Sequence, residues 1–400
     1  MLHHKYLIVV GGPTASGKTT LAIHLARYFI TEILSCDSRQ FFRELNIGTA
    51  KPNEDELAAA KHHFVGHLSI HDNYSVGEYE KEAMKVLDSI FLRHDVAIMV
   101  GGSGLYQKAV TEGLDEFPQV AVELRKKVEL EYEEKGIEFL QKKLQKADPE
   151  YYKIVDINNP HRLIRALAVY EASGQPFSKF RTQEKQQRNF FPIYIEPWWD
   201  REVLYDRINL RVDLMMKKGL LEEAKGFLAH KALTPLQTVG YQELFPYFEG
   251  KYSLEEAIEL IKRNTRRYAK RQLTWSRRDA FWQHFPQNAW KDCLEYIQLA
   301  MELELQWSKD EVHSAAYGAV SIFQLWSRKQ LVGQIKRRGE KNYRYFELLL
   351  KTTNNRLQYH FLTELYYRLQ TKDKIDLPDE WHNFFLEKGL ERVDGATFSL

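Results

Sequence analysis

Gly12-Pro13-Thr14-Ala15-Ser16-Gly17-Lys18-Thr19 decides how the chain is read. It follows the apolar run Tyr6-Leu7-Ile8-Val9-Val10 and precedes Thr20-Leu21-Ala22-Ile23-His24-Leu25-Ala26, whose apolar residues recur at helical spacing. Strand, G-x-x-x-x-G-K-T and helix in that order form a phosphate-cradling P-loop. Such a turn aims backbone N–H groups into one concavity at a helix N-terminus, where the macrodipole favours negative charge. The spacing lets Lys18 reach the outer phosphates and lets Thr19 offer its hydroxyl to a phosphate-bound Mg²⁺. The motif identifies an anion, with a nucleotide such as ATP as the default guest, and not the molecule that carries it.

Outward from the loop, strands and helices alternate. Glu32-Ile33-Leu34-Ser35 reads as a strand, residues 78–91 as a helix, and Val96-Ala97-Ile98-Met99-Val100 as a strand running into Gly101-Gly102-Ser103-Gly104. This rhythm predicts an α/β fold, a P-loop NTPase-like parallel sheet flanked by helices, with ligands beyond the carboxyl ends of the strands. Between about residues 120 and 188 Lys/Glu-rich helical periodicity takes over, which predicts a helical insertion. Phe190-Phe191-Pro192-Ile193-Tyr194-Ile195 returns the chain to the sheet, and helices follow over 203–216, 220–230 and 254–274. The expected domains are a core of 1–119 and 189–304, an insertion of 120–188 and a C-terminal extension of 305–400. Periodicity over 343–350 and 357–369 makes the extension read as mainly helical.

Composition narrows the classes. The 400 residues are 44% hydrophobic with a net charge of +2, enough apolar content for large cores. A mean hydropathy of −0.49 and the lack of an apolar run of about twenty residues argue against a membrane span. The N-terminal residues lack the layout of a signal peptide, and two cysteines, Cys36 and Cys293, offer no disulfide framework, so a cytoplasmic protein is expected. Lys262, Arg263, Arg266, Arg267, Lys270 and Arg271 share one helix face without acidic i+4 partners in the same stretch, which favours contact with phosphates over a merely solvated face. The extension is basic and aromatic too: Lys329, Lys336, Arg337, Arg338, Lys341, Arg344 and Lys351 stand against Glu340 and Glu347. That composition suits RNA or an ordinary charged surface.

Asp37, just after the second strand, is placed to face the phosphate site. Its carboxylate could take a proton from an attacking amine or hydroxyl, or help hold the metal; equally, Asp37-Ser38 could be an Asx-turn.

The wording of the motifs goes further. The loop at 12–19, Asp37-Ser38-Arg39-Gln40, Asn46-Ile47-Gly48-Thr49-Ala50-Lys51-Pro52 and Gly101-Gly102-Ser103-Gly104-Leu105-Tyr106 closely resemble the tRNA dimethylallyltransferases, also called tRNA isopentenyltransferases. Arg162-Leu163-Ile164-Arg165-Ala166-Leu167, Val239-Gly240-Tyr241 and Tyr268-Ala269-Lys270-Arg271-Gln272-Leu273-Thr274-Trp275 extend the resemblance to about residue 285. It implies transfer of a dimethylallyl group from dimethylallyl diphosphate to N6 of the adenosine 3′ of the anticodon in tRNA, with Mg²⁺ as cofactor and diphosphate as leaving group. Gly12, Pro13, Thr14, Ala15, Ser16, Gly17, Lys18 and Thr19 would then hold the donor's diphosphate, Thr19 the metal, and no ATP would be split. Asp37 would be the general base, with Lys18 and Thr19 supporting departure of diphosphate. The tRNA anticodon stem-loop would meet Asp37, Ser38, Arg39, Gln40, Ser103, Arg125, His161, Arg162, Leu163, Ile164, Arg165, Lys270 and Arg271. The resemblance gives no reason to expect anything but a monomer.

Three departures stand out: Ser103 replaces a usual Thr, His161 a common Gln, and Phe41-Phe42 a small apolar residue and a Tyr. His62, His63, His67 and His71 look like metal ligands, but no carboxylate or cysteine completes a tetrahedral set, and a structural zinc is not expected. A small-molecule kinase or ATPase would share the P-loop but not the Asp37–Gln40 and Tyr268–Trp275 strings. A tRNA-binding protein with a dead core would not need Lys18, Thr19 and Asp37.

Overall fold

The computed structural model describes residues 4–182, 184–279, 282–286, 289–314, 318–339, 344–369, 373–377, 379–394 and 397–399. β1 (Tyr6–Val10) is apolar and buried at every position, the mark of a central parallel strand covered on both faces. The chain runs on through α1 (Lys18–Tyr28), β2 (Ile33–Ser35), α2 (Glu54–Ala59), β3 (His62–His63), α3 (Val76–Phe91), β4 (Val96–Val100) and α4 (Gly104–Glu112). Asn53 and Ser75 each close a capping box with a Glu three residues on, which fixes where α2 and α3 begin.

Then come α5 (Val122–Ala147), α6 (Pro149–Ile154) and α7 (Pro160–Ser173). Gly136, at φ 75°, breaks α5 into two helices. Residues Thr111–Arg188 form one compact unit with its own core around Val128, Leu140, Leu144, Leu163 and Leu167. The other unit, Met1–Val110 with Asn189–Leu400, continues through β5 (Phe191–Trp198), α8 (Arg201–Lys217), α9 (Leu220–Gly226), α10 (Leu244–Phe248), α11 (Leu254–Asp279), β6 (Gln283–Pro286) and α12 (Trp290–Leu303). Its first sheet has the order β3-β2-β4-β1-β5-β6, every pairing parallel. β1 lies between β4 and β5, so the loop that leaves it opens at the middle of the sheet's carboxyl edge, as the sequence leads one to expect.

The extension is not mainly helical. β7 (Leu305–Ser314), β8 (Gly318–Ser327), β9 (Gln330–Gly339), β10 (Arg344–Leu350), α13 (Asn355–Arg368), β11 (Lys374–Asp376), α14 (His382–Glu387), β12 (Glu391–Asp394) and β13 (Thr397–Ser399) build a second sheet of seven strands, ordered β12-β13-β11-β10-β9-β8-β7. The helix expected over 357–369 is present as α13. The one expected over 343–350 is β10, where Phe346 and Leu348 point inward and Glu347 and Leu349 outward, a period of two. Of the basic residues noted there, Lys341, like Glu340, lies outside the described residues.

The histidines near β3 have structural partners. Glu32, buried at the start of β2, lies 2.6 Å from His63 Nε2, 2.7 Å from Arg93 and 3.0 Å from Lys61. Burial alone would raise its carboxyl, but these three partners hold it down at about 2. Among the described residues no cluster of His, Cys, Asp and Glu could hold a metal, and no helix is long and apolar enough to cross a membrane. Because the Glu32 carboxyl lies below its ordinary value, its stabilisation is present above about pH 4.5 and is lost as pH falls towards 2. Glu32→Gln is expected to lower unfolding free energy by about 1–3 kcal/mol at pH 7. Urea titrations should show that difference shrinking between pH 5 and pH 2.

Candidate active site

The site grows from the way the P-loop is anchored. A peptide N–H and the C=O of the same plane point oppositely, so a loop that turns amides inward must turn carbonyls outward. Here the outward carbonyls have partners. Lys18 Nζ donates to Pro13 O at 2.6 Å, Arg207 Nε to Ala15 O at 3.0 Å, and Trp199 Nε1 to Ser16 O at 2.9 Å. Arg207 also lies over the Trp199 ring, 4.1 Å from its centroid. Ala15 accepts a left-handed φ of 64° in this turn.

The inner donors are fewer than the motif suggests. Thr14 N–H donates to Gln272 Oε1 at 2.9 Å and Ser16 N–H to Pro13 O at 3.3 Å. The anion-facing amides are therefore those of the α1 N-terminus from Gly17 onward, where no side chain caps the helix. Thr19 stands in that first turn. The Ser16 hydroxyl is buried under the loop with no hydrogen-bond partner among the described residues. Gln272 also donates to Gly102 O at 3.0 Å, so one amide of α11 ties the P-loop to the glycine turn after β4. A Cβ at Gly102 would fall 2.0 Å from Gln272 Nε2; only glycine admits this bridge.

Asp37, Ser38, Arg39 and Gln40 follow β2 into the same crevice. Asp37 Oδ1 accepts the Arg39 N–H at 3.1 Å, so the Asx-turn exists, while Oδ2 accepts no hydrogen bond among the described residues. The turn aims the carboxylate without consuming it. Lys18, Arg211 and Tyr268 all feel its charge. Burial pushes the Lys18 ammonium down to about 8; Asp37 pulls it back up, and Arg211 adds to the fall. Burial and then Asp37 push the Tyr268 phenol up to about 12, so it is a neutral hydrogen-bonding group at pH 7. Ser103 Oγ lies 3.4 Å from both the backbone N and the Oγ of Ser38, and interacts with Tyr268.

Gln40 turns away from the crevice. Its amide donates to Thr49 O at 3.2 Å and Ala50 O at 3.1 Å, holding the 46–52 segment. That segment is locked from its other side by Glu223, whose carboxylate accepts the N–H groups of Asn46, Ile47 and Gly48 and the Tyr241 hydroxyl. Glu223, Arg207, Arg211, Trp199 and Gln272 had no assigned role in the sequence reading. Arg207 and Arg211 were findable, being an i,i+4 basic pair on one face of α8.

Lys270 and Arg271 line a cavity of about 410 Å³ with Arg267, Thr274 and Trp275. The basic face of α11 is shorter than its sequence suggests. Lys262 is neutralised by Asp213 of α8 at 2.9 Å and by Glu259 at 3.2 Å, and Arg266 donates to Asn209 at 2.6 Å. In the insertion unit Arg125 is exposed on α5 and pairs with Glu129 at 2.9 Å. On α7, His161, Arg162 and Arg165 are exposed, and Arg165 lies over Phe117 at 5.1 Å. Leu163 and Ile164, expected to touch RNA, face the unit's own core instead, because alternate helix faces cannot both be outward.

The IPP transferase family model matches residues 40–279. A tRNA dimethylallyltransferase of Christiangramia forsetii is 58% identical over 295 residues, 73% of this chain and 97% of that protein. Another from Flavobacterium johnsoniae is 52% identical over 281 residues, 69% of this chain and 91% of that protein. The crystal structure of the full-length tRNA isopentenylpyrophosphate transferase of Bacillus halodurans superposes with a TM-score of 0.56 at 33% identity, covering 74% of this chain and 97% of its own. A eukaryotic dimethylallyltransferase acting on tRNA gives 0.63 at 25% identity, covering 74% and 78%. The sheet of β7–β13 lies beyond the family match, which ends at residue 279. The chain belongs to the IPP transferase family and is an enzyme of the prenyltransferase class.

Proposed function

We propose that this enzyme transfers the dimethylallyl group of dimethylallyl diphosphate to N6 of the adenosine 3′ of the anticodon in tRNA. The observation that carries the mechanism is that Asp37, with one carboxylate oxygen outside the Arg39 turn, raises the half-buried Lys18 ammonium of the P-loop electrostatically. The α1 amides and Lys18 bind the diphosphate. The adenosine is unstacked from the anticodon loop and presented by its N6 amine to Asp37. The new N6–C1 bond forms as the C1–O bond to diphosphate breaks; the N6 proton passes to Asp37 and the electron pair leaves with diphosphate. Lys18 and the amides stabilise the charge gathering on that leaving group.

The donor set also fits Mg²⁺. The Thr19 hydroxyl stands in the first turn of α1, beside the amides that would hold the diphosphate, and Mg²⁺ is commonly held by few protein oxygens together with phosphate. When bound, Mg²⁺ would neutralise charge developing on the diphosphate. Ser38, Arg39, Ser103, Lys270 and Arg271 supply polar and cationic groups for the anticodon loop, and Arg125, His161, Arg162 and Arg165 supply exposed ones on the insertion unit.

Incubation with dimethylallyl diphosphate, Mg²⁺ and unmodified tRNA is expected to yield prenylated adenosine and diphosphate. ATP hydrolysis without prenylated adenosine would refute the assignment. Asp37→Ala is expected to lower turnover roughly a hundredfold or more while tRNA binding survives. Near-normal turnover in that variant would remove Asp37 as the base. Lys18→Ala should raise the donor KM about tenfold or more, as expected for loss of a charge-assisted contact to phosphate.

A further inference from the structure

The C-terminal sheet is joined to the first sheet through α13, and three side chains of that helix reach residues that support the P-loop. Glu364 is fully buried. Its carboxylate accepts the His284 backbone N–H at 2.7 Å and lies 3.0 Å from His284 Nδ1. Arg368 holds Glu364 from one turn further on, at 2.6 Å, and donates to the Trp282 carbonyl at 3.1 Å. Tyr367 packs on Trp198, with ring centroids 4.9 Å apart.

Each of these lines continues to the loop. His284 and Glu196 are paired across β6 and β5, and His284 Nε2 lies 3.8 Å from Glu196 Oε2. Glu196 is buried, and its Cγ lies under Gly12, where φ is 117° and an added Cβ would come within 3.0 Å of it. The Trp282 ring lies directly against Gly11. Trp198 precedes Trp199, the donor to Ser16 O.

We propose that Glu364 of the C-terminal extension is a positioning residue for the diphosphate loop, acting through His284 and Glu196, so that the extension is a working part of the active site. The inference rests on the reading that this loop holds a diphosphate. The charges facing His284 are Glu196 from β5 and Glu364 with Arg368 from α13. Burial would push the imidazole towards its neutral form; Glu364 first, then Glu196, hold it above its ordinary value against Arg368. Without the Glu364 charge the His284 imidazole falls back towards its neutral form, and less positive charge faces Glu196 behind a loop that must receive an anion. A buried carboxylate there disfavours diphosphate.

The test is calorimetric binding of inorganic pyrophosphate with Mg²⁺ to the full chain, so neither tRNA nor catalysis enters. Glu364→Gln keeps the shape and removes the charge. At pH 8 it should bind roughly three- to tenfold more weakly than wild type. The deficit should shrink at pH 6, where His284 regains its proton, and Glu364→Asp should restore most of the affinity. Equal binding by wild type and Glu364→Gln at both pH values overturns the proposal. So does a deficit unchanged between pH 6 and pH 8 that Glu364→Asp fails to repair. If Glu364→Gln does not fold, the His284 ring signal of the wild type decides by NMR, and a neutral imidazole at pH 7 overturns the proposal. Wild type that binds no pyrophosphate would refute the diphosphate reading itself, and the positioning role with it.

Discussion

A loop that binds phosphate with its backbone must dispose of its own carbonyls, and the rest of this site depends on how that is done. Pro13, Ala15 and Ser16 point their oxygens at Lys18, Arg207 and Trp199, residues that come from α1, α8 and the end of β5. Gln272 on α11 supplies the remaining tie, to Thr14 and Gly102. The loop is therefore fixed, besides Lys18, by side chains 183 to 258 residues away in sequence from the groups they hold. Their fold is a precondition of the cradle rather than a consequence of it.

The same anchoring concentrates charge. Lys18, Arg211 and Arg39 are held at one mouth with Asp37, and burial presses on all three cations. An anion entering this mouth removes a desolvation burden that the empty site carries, because it returns to the cations the partner they lost with water. Only one oxygen of Asp37 is committed to the Arg39 turn, so the Asx-turn aims the carboxylate and still leaves its other oxygen for a partner.

The core fold was legible because its signals were local. β1 and β4 are unbroken apolar runs, and the P-loop carries its glycines in a fixed pattern. The extension was not, and the cause is specific: Tyr345-Phe346-Glu347-Leu348-Leu349-Leu350 satisfies helical spacing as well as alternation, and only pairing with β9 and β11 selects the strand. Leu163 and Ile164 stand between the exposed Arg162 and Arg165, so membership in a string could not reveal their direction. Lys262 has a partner one turn back on its own helix, Glu259, which a search for i+4 acids alone passes over, and a second, Asp213, on another helix 49 positions earlier. For the strand β10 and for Asp213 the missing information was tertiary.

The row of buried charges between the two sheets is harder to explain by stability alone. Arg368, Glu364, His284 and Glu196 stand in line, and taking each charge from water costs several kcal/mol before mutual attraction offsets it. Apolar side chains of similar volume would pack the same space without that penalty, as Trp307 on Phe361 does a turn away. Directional contacts, unlike an apolar patch, favour one register: here the one in which Glu364 meets the His284 N–H and Nδ1. The extension thereby meets β6 at His284, which lies beside Glu196 under Gly12, while Trp282, just before β6, lies against Gly11. Specificity of docking, rather than strength of docking, is what such a buried row supplies.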